Sequence, residues 1–468
     1  MNGRNRRPPS ACRPQTTRTL GMHLLRGMLQ SKNAYSPNSM DSLPRQLASM
    51  WAFGNVTHLP VPDIDRTDFL LIVGANPVVT QGSVLTAPGM GSRIRAIQAR
   101  GGKVVVIDPR RSETAAVADV HHFVQPGTDA LLLMAMLHVV FARHLADPHP
   151  RAEGVDRLRD AVRAFSPERV AGTVGIDAAA IVELAVGFAR AERAVAYGRL
   201  GTCVRRFGAL TTCLLDALNT VSGNLDRPGG AMFATPAFDL AGLARLAGQS
   251  GSFDRFRSRS GLPETNGELP VAAMADEIEE PGPRQMRALV CHAGNPASSL
   301  PNRDRTERAL GSLELLVSID LYVNETSRFA DYILPTTVGL ERGSYPVVFG
   351  ALAARDFAKR TRPLLTPPPG VRDSWAVLLE LSRRILSRRG LAGRAGAALL
   401  GTAESFPDRM LSAGLRLGPH RITGRALDES PHGIDLGPLR PRLDAILGNR
   451  GVTLLPEPVA ADVACLAG

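Results

Sequence analysis

Residues 107–119 read IDPRRSETAAVAD, and residues 319–331 read IDLYVNETSRFAD. Six positions are identical: Ile107/Ile319, Asp108/Asp320, Glu113/Glu325, Thr114/Thr326, Ala118/Ala330 and Asp119/Asp331. Upstream of each copy an apolar run ends in a Gly/Asn/Pro turn, GANP at 74–77 and GNP at 294–296. Short apolar runs stopped by such turns read as buried parallel strands. The order strand, turn, helix, strand with a terminal aspartate is that of an α/β unit whose ligand sits beyond the strand ends. Its recurrence predicts an α/β protein of two related doubly wound, Rossmann-like parallel-sheet domains, together facing one nucleotide-type ligand.

Outward from these copies, 69–73 and 103–107 form the first two strands, with a helix from Ser92 to Arg100 between them and Val124 closing a short third strand. Thr128 caps the apolar stretch 130–142, which at thirteen residues interrupted by His138 is too short to span a membrane and reads as a buried helix. Further helices are expected over 21–30, 43–51, 178–193, 209–221 and 374–386, with a strand at 194–197. The second unit uses strands at 287–291, 315–319 and 332–334. The chain therefore divides into a disordered Arg/Pro-rich tail (1–20), a first domain (21–230), a linker or long loop rich in Gly, Pro and Ser (231–285), a second domain (286–400) and an irregular C-terminal segment (401–468).

Composition narrows the class. With 468 residues, 44% hydrophobic and 21% charged, the chain is globular and long enough for two or three domains. The net charge of +11 comes from scattered arginines rather than one basic stripe, and no aromatic-plus-basic module accompanies it, which argues against nucleic acid as a partner. Five cysteines (Cys12, Cys203, Cys213, Cys291, Cys465) show no CxxC pairing and fit reduced thiols in the cytoplasm. The adjacent His121 and His122 point apart on a strand. No P-loop, GxGxxG, HExxH or Ser-His-Asp order is present.

At the strand ends, Gly74 lets the backbone approach a phosphate, Asp108 offers a carboxylate to ribose hydroxyls or a guanine edge, and Arg110 and Arg111 suit phosphate or a base face. Asn76 completes the first turn. Gly127, Thr128 and Asp129 set free helix-end amides near the sheet edge. Gly294, Asn295, Asp320, Asn324 and Glu325 occupy the matching places in the second copy.

These motifs, with SGNLDRPGG (222–230), NPASSLPNRDRTERAL (295–310) and the stretch PVPDIDRTDFLLIVGANP (60–77), resemble the molybdopterin oxidoreductases, the family of formate dehydrogenases, nitrate reductases and dimethyl sulfoxide reductase. The resemblance covers roughly residues 30–350. It implies a bis(molybdopterin guanine dinucleotide) cofactor carrying Mo or W, with Gly74, Asn76, Asp108, Arg110 and the Gly127–Asp129 turn on one dinucleotide, and Gly294, Asn295, Asp320 and Glu325 on the other. It also implies two-electron or oxygen-atom transfer on a small-molecule substrate. Three departures accompany it. The [4Fe-4S] cysteines usual at the start of the family are missing from this chain, and the chain stops about where a C-terminal domain would close over the pterins, so it reads as truncated at both ends. An electron-transfer protein, or a partner supplying the missing domains, is implied. In NSMDSLPRQLASM (38–50), Leu47 stands at or near the place of the metal-ligating side chain, with Asp41, Ser42 and Ser49 nearby. The residues name neither a catalytic group nor a metal ligand, and the alternative is a catalytically silent structural subunit or remnant that keeps the fold.

Overall fold

Phe69–Val73 (β1) is apolar and buried at all five positions. An unbroken apolar strand belongs inside a parallel sheet covered on both faces. The computed structural model of the chain describes residues 16–82, 85–246, 248–401 and 405–467. In it β1 is joined by Lys103–Ile107 (β2), Val120–His122 (β3) and Ala194–Gly198 (β4) in one sheet of order β3-β2-β1-β4. Every pairing is parallel, with Phe69 opposite both Lys103 and Ala194. Parallel neighbours need a crossover, supplied between β1 and β2 by the helix Met90–Ala99, which buries Ile94 and Ile97. It starts after Gly89 in left-handed conformation, two residues before the expected Ser92 cap.

Asn219 and Asn224, both buried, seal the outer edge of β4. Asn219 accepts from the Ala196 amide at 2.8 Å and donates to its carbonyl at 3.0 Å, and Asn224 accepts from the Ala194 amide at 3.1 Å. SGNLDRPGG thus begins by sealing a sheet edge, and ends with the Gly229 amide donating to Asp63 at 2.7 Å. The helix Asp129–Ala142 is buried almost all round, as an apolar helix without a polar face must be.

A second sheet consists of Ala288–His292 (β5), Leu315–Asp320 (β6) and Tyr332–Pro335 (β7), parallel and in the order β7-β6-β5. It is more exposed than the first: no residue of β5 or β7 is fully buried. Leu25, Ile319 and Leu378 form a small core that joins β6 to the helices Thr16–Leu29 and Ser374–Ser387. A Cβ on Gly21 would stand 2.9 Å from Leu378, so a glycine there allows the close helix contact.

The chain folds into two compact units whose boundaries differ from the sequence expectation. The first holds residues 38–251, 349–358 and 435–468; the second holds the described residues up to 37 with 252–348 and 359–434. Residues 1–15 of the expected tail lie outside the described residues, and from Thr16 the chain is helical. The stretch 21–37 belongs with the second unit, because its helix packs where the Ser374–Ser387 helix offers an apolar stripe.

The expected linker 231–285 is largely folded. Glu264, fully buried, accepts from Ser252 Oγ at 2.5 Å and from the Arg255 amide at 3.1 Å, and the Leu269 amide donates to Ala34 at 2.9 Å. The 401–468 segment is likewise structured, with helices Phe406–Leu417 and Glu457–Ala467. Val452–Thr453 pairs with Ala152–Glu153, which docks the last residues onto the first unit. A buried carboxylate that gathers nearby donors and backbone pairings with distant segments hold these regions, and composition reports neither.

Candidate functional site

The two copies fold alike at the carboxyl ends of their sheets. After β1, Gly74 is left-handed (φ 57°) and its amide donates to Ile107 at 2.9 Å; after β5, Ala293 does the same (φ 50°), donating to Ile319 at 3.0 Å. The residue matching Gly74 is therefore Ala293, and Gly294 matches Ala75, one place off the register that the turn motifs suggest. The glycine at 74 has a further reason, which lies in packing. A Cβ there would meet the Gly201 backbone at 2.9 Å, and the Gly201 amide donates to Gly74 O at 2.9 Å. Close chain packing already requires that glycine.

Asn76 and Asn295 share one backbone conformation (φ −124°, ψ 64° and φ −126°, ψ 67°). Each side chain closes a clasp onto the repeat. Asn76 Nδ2 donates to Glu113 at 2.7 Å, and its Oδ1 accepts from Thr114 Oγ1 at 2.7 Å and Thr114 N at 3.2 Å. Asn295 donates to Glu325 at 2.6 Å and accepts from Thr326 Oγ1 at 2.8 Å. The threonine hydroxyls in turn accept from Val78 N and Ala297 N. Asp119 and Asp331 accept from the amides of Val104 and Leu316, both at 2.7 Å, pinning the start of the middle strand. The shared Glu, Thr and second Asp thus have matching partners within each unit.

Asp108 is half-buried and accepts from Arg110 N at 2.8 Å, while His121 Nε2 lies 2.9 Å from its carbonyl. Arg110 is exposed, with its guanidinium 3.1 Å from Glu113. Hydrogen bonds from its own backbone, Asn76 and Arg110 hold the Glu113 carboxyl below its usual range. Asp320 accepts from Leu321 N at 2.7 Å and from Asn324 Nδ2 at 3.2 Å. Asn324 also accepts from the amides of Thr326 and Ser327, so it nucleates the short turn that follows. Glu325 is kept below its usual range first by Asn295.

Gly127 has φ 90° with open space where a Cβ would stand. Thr128 stands at the N-cap of its helix as expected, but its hydroxyl donates to Gln125 O at 2.7 Å and accepts from no helix amide. Asp129, buried in the first helical turn, is pushed up to about 6 by desolvation; its own backbone and Arg205 oppose the shift, and nearby Asp108 adds to it.

The segment 38–50 does not gather ligands. Leu47 is core, 8% exposed on the helix Leu43–Phe53. Ser49 Oγ donates to the carbonyls of Asn55 and His58 at 2.8 and 2.7 Å, Ser42 bonds to Asn38, and Asp41 pairs with Arg199. Among the described residues no group of three or more His, Cys, Asp or Glu is placed to hold a metal. His138 lies half-buried with Nδ1 at 3.2 Å from Val162 O. The buried pair Arg45–Asp216 (2.8 Å) and the seat of Gly201 escape sequence reading, since each joins segments far apart in the chain. For Gly201 the local signal is GRLGT at 198–202, a turn following a strand.

Residues 17–384 match the sequence profile of the molybdopterin oxidoreductases. The chain belongs to that family. Formate dehydrogenase H of Escherichia coli is 27% identical over 348 residues, covering 69% of this chain and 46% of the relative. The assimilatory nitrate reductase catalytic subunit of Bacillus subtilis is 24% identical over 343 residues, again 69% and 46%. The chain spans about half the length of these curated relatives. The solved structure of acetylene hydratase from Pelobacter acetylenicus has the same fold: TM-score 0.72, 18% identity, covering 96% of this chain and 63% of that one. Among the described residues, no single helix is long and apolar enough to cross a membrane.

Carboxylates at strand ends, two exposed guanidiniums and an open Gly127 turn have the chemistry of a nucleotide diphosphate grip. Toward the metal the described residues bring no such set.

Proposed function

We propose that the chain is the dinucleotide-holding part of a molybdopterin-dependent oxidoreductase of the formate dehydrogenase and nitrate reductase type. One clasp built twice supports this reading, Asn76–Glu113–Thr114 and Asn295–Glu325–Thr326, each following a parallel strand that ends in a half-buried aspartate, Asp108 or Asp320. We read the two sheets as Rossmann-like and related by a pseudo-two-fold. Asp108 and Asp320 accept hydrogen bonds from ribose or guanine. Arg110 and Arg111 neutralise phosphate, and Gly127–Asp129 line the first dinucleotide. The second dinucleotide rests against Gly294, Asn295, Asn324 and Glu325. When bound, the bis(molybdopterin guanine dinucleotide) with Mo or W supplies two-electron or oxygen-atom transfer on a small molecule. Electrons would pass to a partner protein. Four unpaired cysteines among the described residues support a reducing compartment, the cytoplasm.

The test is cofactor content. Chain made in a cofactor-competent host should carry about one Mo or W and about two pterins, read by elemental analysis and by fluorescence of acid-released, oxidised pterin. Asp108→Ala and Asp320→Ala should each lower retention. Folded chain with neither metal nor pterin would defeat this reading. It would favour the second one, a catalytically silent subunit, which the core placement of Leu47 supports.

A further inference from the structure

Between the strand-end aspartate and the clasp glutamate, the two copies hold equivalent four-residue tips, 109–112 and 321–324, with opposite chemistry. The first is Pro-Arg-Arg-Ser and the second Leu-Tyr-Val-Asn. Both backbones are pinned. Arg110 N donates to Asp108 and Arg110 O accepts from Ser112 N, each at 2.8 Å. Leu321 N donates to Asp320 at 2.7 Å, and Tyr322 O accepts from Ser327 Oγ at 3.2 Å. The side chains between these anchors stand in solvent: the Arg110 side chain is 63% exposed, Tyr322 74% and Val323 73%. A tyrosine ring displayed on a pinned tip, with no charge between residues 321 and 323, does not serve folding. It offers a flat apolar face at little ordering cost.

We infer that the two grips hold different parts of their ligands: Arg110 and Arg111 take phosphate in the first unit, and Tyr322 stacks on a purine base in the second. Asp320, two residues before Tyr322, retains acceptor capacity for the donor edge of guanine while the ring covers the base face. A guanidinium pair binds diphosphate through charge-assisted bonds that weaken with salt, whereas ring stacking is insensitive to it. This inference rests on the nucleotide reading above.

The experiment titrates the full chain, free of cofactor, with GDP, guanosine and pyrophosphate by calorimetry at two salt concentrations. Wild type should bind GDP at two sites, and only one of them should weaken with salt. Tyr322→Ala should weaken GDP and guanosine at the salt-insensitive site by roughly five- to 150-fold, leaving pyrophosphate binding unchanged. Tyr322→Phe should bind as wild type does. Arg110→Ala with Arg111→Ala should remove pyrophosphate binding and the salt-sensitive GDP site. If Tyr322→Ala leaves both GDP sites and guanosine binding intact, the assignment of Tyr322 is overturned while the nucleotide reading stands. If wild type shows no saturable GDP binding, both are overturned.

Discussion

Replacing the clasp asparagines should damage the two units unequally, and the structure sets the ratio. Asn76 is the acceptor for both the hydroxyl and the amide of Thr114, a residue with no exposed surface. Asn76→Ala therefore orphans two donors. Asn295 accepts only from the Thr326 hydroxyl, because the Thr326 amide is already satisfied by Asn324. Asn295→Ala orphans one. At about 1–1.5 kcal/mol for each donor left unmet in a part-buried site, Asn76→Ala should cost about 2–3 kcal/mol and Asn295→Ala about half that. The lost bonds to Glu113 and Glu325 add little, since neither carboxylate is buried. The chain's two tryptophans allow the comparison, with Trp51 in the first unit and Trp375 in the second. In Trp375→Phe and Trp51→Phe backgrounds, urea unfolding followed by fluorescence reports one unit at a time. With a slope of about 3 kcal/mol/M, the Asn76 variant should move its midpoint down by about 0.8 M and the Asn295 variant by about 0.4 M. Equal shifts, or a larger one for Asn295, would refute the count of orphaned donors.

Three further outcomes follow from other contacts. Asp129 is raised to about 6 from an ordinary value of 3.8, so the folded state keeps a proton that the unfolded chain has released. Its stabilising contribution is full below about pH 4 and is lost as pH rises through 6, on the order of 2–3 kcal/mol. Asp129→Asn should therefore gain stability over wild type with rising pH across that window, and parallel pH profiles of thermal unfolding would exclude the shift. Gly201→Ala would put a Cβ 2.7 Å from Gly74 Cα; a cost of about 3 kcal/mol, a drop of roughly 6–12 °C in Tm, is expected. Gly127→Ala, with open space but φ 90°, should lose only about 1 kcal/mol, and calorimetry giving the reverse order would count against close packing as the reason for Gly201. In the buried pair, desolvation outweighs Arg45 and raises the Asp216 carboxyl, and Arg45 Nη2 has no partner among the described residues. Asp216→Ala should destabilise by about 3–5 kcal/mol while Arg45→Met/Asp216→Leu recovers most of it; a double variant no better than the single in urea would show that the pair stabilises the fold.

The sequence by itself determined the parallel strands, their terminal aspartates and the fact of duplication. These are local properties: an all-apolar run of strand length has one environment, and an identical hydrogen-bonding pattern needs identical side chains. Family membership was legible for the same reason, because the motifs that carry it are contiguous. Tertiary structure alone decided what the identities are for. The partners of Glu113, Thr114 and Asp119, which are Asn76 and the Val104 amide, come from elsewhere in the chain and are visible only in the fold. That Gly74 also packs against Gly201, more than a hundred residues on, is visible only in the fold. Register at the second turn, where Ala293 rather than Gly294 takes the left-handed place, also needed backbone angles. The folded state of 252–285 depends on the buried Glu264 carboxylate, and that of 435–468 on a strand pair with Ala152–Glu153, far back in the chain. A chain of this composition encodes which groups must be satisfied, and only folding selects the partner that satisfies each.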